Sequence, residues 1–134
     1  MSAEAANTRV WNEEFNFVGL IAEAAYSRIS RLPWSPERKV AKLREHGLRD
    51  GGLDFSGVDV KGTLHSPPLL MRLRTDPLKA PNFALIAVDL DGRHARYIGY
   101  ATREELDAAS DREFGYGPTR TLEESDLHKT LPHG

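Results

Sequence analysis

The 134-residue chain contains no cysteine, which excludes disulfide staples and thiolate metal sites and suits a reducing compartment. Any bound metal must therefore sit on oxygen or imidazole. Long apolar runs are missing too. The longest, around Phe17 to Tyr26, is interrupted by Glu23 and falls well short of the roughly 20 residues a membrane helix needs. No basic region followed by an apolar one opens the N-terminus, so the expectation is a cytoplasmic protein without membrane attachment. A global basic excess is also absent: the net charge is −2 and the pI near 6.2, which is not the footprint of a strong nucleic-acid binder. Neither a glycine-rich phosphate loop nor an internal repeat is visible, which excludes the common nucleotide-cradling and solenoid designs.

What is present is 40% hydrophobic residues, enough at this length for one compact core. Charge is unevenly spread. Between Arg28 and Arg49 the bases outnumber Glu37 and Glu45, whereas between Arg103 and Lys129 acids dominate. A basic half of this kind can track phosphates, although most charge runs are simply solvated faces.

Residues 1–11 are small and polar and read as a flexible end. Asn12 reads as the cap of a helix to about Ser30, with Glu13 and Glu14 complementing the dipole in its first turn. Ser35-Pro36 and Gly47 bracket a short basic helix. Alternation with period two predicts strands at 53–55 and 58–65, joined by a Ser56-Gly57 turn. Further strands are expected at 69–73, 83–90 and 95–101, with Asp91-Gly92 as a turn. Thr102 and Glu105 form a capping box that starts a helix to about Ala109. The stretch 111–134, rich in Gly, Pro and charge, reads as a loop-rich tail. The expected architecture is thus one α/β (α+β) domain over 12–110, a mixed β-sheet flanked by helices.

The chemistry concentrates in the predicted hairpin. If Ser56-Gly57 is a two-residue turn, Asp54 stands opposite Asp59, their Cβ atoms roughly 4.5–5.5 Å apart. Opposed like charges destabilise a sheet unless something compensates, and a divalent cation turns that repulsion into ligation. Asp59, Lys61, Thr63 and His65 share one face, while Val58, Val60 and Leu64 share the other. A register slip of one residue would replace Asp54 by Asp50.

Asp54 followed by Asp59-Val60-Lys61 resembles the PD-(D/E)xK nuclease superfamily, in particular its small phage-type and junction-resolving members. The resemblance spans about residues 15–109 and includes the helix bearing Gly19 and Glu23. The chain departs from the family pattern in two places: Leu53 stands where a proline usually precedes the first aspartate, and only four residues separate Asp54 from Asp59. The resemblance implies a restriction-endonuclease-like core. It implies Mg²⁺ or Mn²⁺ on Glu23, Asp54, Asp59 and the Val60 carbonyl, and Lys61 as catalytic base or water-positioning cation. It also implies DNA as partner, a homodimer as one available assembly, and a phage-encoded protein in a bacterial host as one source. Arg38, Lys39, Lys42, Arg72 and Arg74 are the candidate phosphate contacts, and Trp34 is a candidate base-stacking residue. His65 receives no catalytic role. The rival reading is a non-catalytic nucleic-acid-binding or regulatory protein on the same scaffold.

Overall fold

The computed structural model describes residues 3–34, 55, 57–91 and 94–132, with side chains from residue 17 onward. The predicted helix near 36–46 lies outside the described residues, and so do Arg38, Lys39, Lys42, Asp50 and Asp54.

Helix α1 runs Ala3–Ser30, so it begins well before Asn12, the expected cap. Ala3, Ala5 and Ala6 are the strongest helix formers and no Gly or Pro intervenes before Asn12, so propensity carries the helix through the polar stretch. It stops where Arg31 adopts a left-handed φ of 63° and Pro33 prevents continuation. The Ser30 hydroxyl returns to the Tyr26 carbonyl at 2.7 Å.

Among the described residues, six strands form two three-stranded sheets rather than the single sheet expected. In the first, β1 (Val58–Thr63) lies parallel to the central β3 (Asn82–Asp89), which pairs antiparallel with β4 (His94–Thr102). In the second, β6 (Pro118–Glu123) lies between β2 (Leu69–Leu73) and β5 (Asp111–Glu113), antiparallel to both. The stretch from Asp111 is therefore not simply a loop: it supplies two strands and a short 3-10 helix, Glu124–Asp126. Prolines 67 and 68 separate β1 from β2. Lacking N–H donors, they end the first ladder and let the chain cross to the other sheet.

Strand β3 holds the two halves together because both of its faces are apolar. Ala84, Ile86 and Val88 pack with Val58 and Val60 against Val18, Ala22 and Tyr26 of α1, an i, i+4 stripe. Phe83 and Leu85 turn the other way, into a second cluster with Leu70, Ile98, Leu106 and Leu127. Each fully buried side chain of this size contributes about 1.5–3 kcal/mol on leaving water. Helix α2 (Arg103–Asp107) closes that second cluster with Leu106, and its Thr102/Glu105 capping box is formed as predicted. Trp34, the candidate stacking residue, is partly buried and packs against the first cluster.

Two glycines permit close approaches. A Cβ on Gly62 would lie 2.9 Å from the Val18 carbonyl oxygen and from the Ala22 methyl, so α1 rests directly on β1. At Gly99, beside the β3–β4 bulge, a Cβ would meet the His128 carbonyl oxygen at 2.6 Å. That approach lets Tyr100 and His128 exchange backbone hydrogen bonds of 2.9 Å, which ties the C-terminal segment to β4.

Candidate functional site at the edge of β1

Among the described strands β1 lies at the edge of the first sheet, and its local geometry fits the expected hairpin. Phe55 and Val58 exchange both backbone hydrogen bonds, at 3.1 and 3.2 Å, and Gly57 adopts φ 74°, a conformation that costs glycine little. Val58 thus directs its N–H and C=O away from β3. Because backbone groups alternate sides along a strand, Val60 directs its carbonyl to the same outer edge, and Asp59 and Lys61 form the ladder with β3. Asp54, expected opposite Asp59, lies outside the described residues.

The side chains also divide as expected. Val58 and Val60 are buried beneath α1, whereas Asp59 and Lys61 are partly exposed on the opposite face. That face borders a cleft of about 850 Å³ between the two sheets, whose walls include Lys61, Thr63, Met71, Arg72, Leu85 and Tyr116. Val18 of α1 also reaches the cleft, so the opening wraps around the outer edge of β1. Glu23 is only 4% exposed and follows Ala22, which packs on Gly62.

Arg72 lies on β2 and Arg74 in the turn just after it, and Arg120 stands directly across from Arg72 on β6. Three guanidinium groups so placed would repel one another; carboxylates and carbonyls compensate. Arg72 Nη2 lies 3.4 Å from Asp59 Oδ2, and its Cζ stands 5.8 Å from the Phe83 ring centroid. Arg74 donates to Asp111 Oδ1 at 2.7 and 3.0 Å and to the Asp107 and Ala109 carbonyls at 2.8 and 2.9 Å. The side-chain hydrogen bond to Asp111 leads in raising its pKa, which burial partly offsets. Its donors are committed to clamping β2 onto the α2–β5 connection, so Arg74 leaves the set of phosphate contacts. Buried Arg120 donates to the Leu73 and Asp76 carbonyls at 2.8 and 3.0 Å and pairs with Asp107 at 3.2 Å. It holds the sheet together and has no part in the cleft chemistry.

An aromatic group at the cleft went unread in the sequence. The Phe114 and Tyr116 rings stack at 6.1 Å with an interplanar angle of 19°, and the His65 ring meets Phe114 edge-on at 6.5 Å. Tyr116 is 59% exposed. The only local signal is a Phe-Gly-Tyr-Gly run in a stretch that otherwise reads as loop. Glu113 Oε1 accepts the Gly115 and Gly117 N–H groups at 2.7 and 3.0 Å. Those bonds, Gly117 first, hold its carboxyl below the usual glutamate range, because N–H donors favour the charged form.

Among the described residues, no group of three or more carboxylates or histidines is gathered as a metal site. The oxygen donors at the β1 edge, the Asp59 carboxylate and the Val60 carbonyl, are of the hard type that suits Mg²⁺ or Mn²⁺. No family model, curated protein or solved structure matches the chain.

Proposed function

We propose that this protein is a metal-dependent nuclease that hydrolyses phosphodiester bonds in DNA, built on a restriction-endonuclease-like variant of the mixed β-sheet. The observation that carries the reading is the β1 edge. Asp59 and Lys61 share the cleft-side face of the strand, and Arg72 lies within 3.4 Å of Asp59. Asp59, the Val60 carbonyl and Asp54 would hold Mg²⁺ or Mn²⁺, with Glu23 joining from α1. Bound there, the ion would supply a nucleophilic hydroxide and neutralise phosphate charge.

The chain's own groups have separate tasks. Lys61, beside Asp59 on the same face, orients the attacking water and offsets the negative charge that grows on the phosphoryl oxygens. Arg72 moves between partners: it neutralises Asp59 in the resting site and binds a phosphate oxygen once substrate enters. The apolar walls of the cleft thin the water around these charges, which strengthens their interactions.

The test is incubation of supercoiled, linear, single-stranded and branched DNA with Mg²⁺, Mn²⁺ or EDTA, beside Asp59→Ala and Lys61→Ala. Cleavage is expected only with metal. Each variant should lose at least about a hundredfold in rate, the order seen when one charge-stabilising group is removed. Undiminished cleavage by both would sink the proposal. The Asp59–Arg72 ion pair itself favours a second reading, a non-catalytic nucleic-acid binder. Salt-sensitive, metal-independent binding without cleavage would select it.

A further inference from the structure

We propose that Phe114 and Tyr116 form a stacking platform for an unpaired nucleobase, so that the cleft engages single-stranded rather than fully paired nucleic acid. The inference rests on the nucleic-acid reading of the cleft and names the substrate form it accepts.

Two large aromatic rings are stacked at 6.1 Å on the four-residue connection between β5 and β6, with Tyr116 more than half exposed. Exposed rings of this kind contribute little to a core, yet the turn is built to hold them. Its two glycines take φ values of 103° and 114°, a region other residues enter only with strain. The Glu113 carboxylate fastens both glycine N–H groups, and His65 supports the Phe114 ring edge-on. A ring held in place before binding loses little freedom when it binds.

The neighbours specify the ligand. Tyr116 lines the same cleft as Lys61 and Arg72, which joins a flat π surface to cations within one opening. A nucleotide presents the matching pair, a base face and a phosphate, and base–aromatic stacking tolerates any base. In a duplex the base faces are already covered by their neighbours, so only an unpaired base can reach the platform.

The decisive measurement is fluorescence anisotropy in EDTA with labelled oligothymidylate, an abasic strand of equal length and a blunt hairpin duplex. Tyr116→Ala should weaken oligothymidylate binding roughly five- to 150-fold, the effect of losing one stacked base, and bring it to the abasic level. Tyr116→Phe should retain wild-type affinity, and the abasic strand and duplex should not distinguish Tyr116→Ala from wild type. Unchanged oligothymidylate binding in Tyr116→Ala, an equal loss on all three probes, or no binding to any of them overturns the platform. The two proposals fail separately. Metal-dependent duplex cleavage that is indifferent to Tyr116→Ala leaves the nuclease standing and removes the platform. Tyr116-dependent binding without cleavage in Mg²⁺ or Mn²⁺ does the reverse.

Discussion

The two sheets are held by different forces. The first is packed from both sides by apolar side chains: α1 covers Ala84, Ile86 and Val88, and the second cluster covers Phe83 and Leu85. The second sheet sets Arg72 directly across from Arg120 and relies on distant partners, since Arg74, just beyond β2, reaches Asp107 to Asp111 and Arg120 reaches back to Leu73 and Asp76. Non-directional packing tolerates local adjustment, whereas a buried guanidinium stabilises only while its acceptors stay in place. The cleft forms where the two kinds of sheet meet. The proposed division of labour follows that seam, with hydrolysis on the apolar sheet's edge strand and substrate capture on the polar sheet and its aromatic turn.

Three measurements sharpen or break this contrast. The largest effect should come from Phe83→Ala, which empties the centre of the apolar half and should cost about 3–5 kcal/mol in urea unfolding. A loss below that of any substitution in the second sheet would refute the claim that packing dominates the first. Arg120→Met comes next. It keeps most of the bulk but leaves the Leu73 and Asp76 carbonyls without their donor, a loss of about 1–3 kcal/mol. Asp107→Asn, at the exposed end of the same ion pair, should cost less than about 1 kcal/mol; similar losses for the two would show that the carbonyl contacts contribute nothing.

The smallest effect is a pH dependence at the capping box. Burial acts to raise the Glu105 pKa, but the Thr102 backbone N–H and the His128 ring, whose Nε2 lies 2.8 Å away, leave it below the usual glutamate value. A folded-state pKa depressed in this way stabilises the protein above the unfolded glutamate pKa and is lost as pH falls through the folded value. Thermal melts from neutral to acidic pH should therefore show a steeper decline in the native chain than in Glu105→Gln. Parallel curves would remove this linkage.

Legibility followed the same division. The first sheet was readable because β3 is a continuous apolar run and β1 alternates, and both patterns are local. The Thr102/Glu105 box was readable because its two partners are three residues apart. Of the second sheet only β2 was readable, as the expected strand at 69–73; β5 and β6 were not, because β6 has only Leu122 as a large apolar residue, its ladder partner β2 lies far back in the chain, and flanking Gly and Pro resemble loop chemistry. The structural roles of Arg74 and Arg120 were hidden for a related reason. A solvated arginine and one clamped onto carbonyls look identical until distant acceptors are brought to them.

By itself, then, the sequence determined a mixed α/β chain with Asp59 and Lys61 on one face of a strand and Val60 on the other, because side-chain alternation depends only on the local backbone. Tertiary structure decided that this strand lies at a sheet edge, that α1 covers the side away from Asp59, and that Arg72 rather than Arg74 faces the cleft. It also decided that Tyr116 lines the same cleft as Lys61. Those are contacts between segments far apart in the chain, fixed by which surfaces could be buried together, and no short-range pattern encodes them.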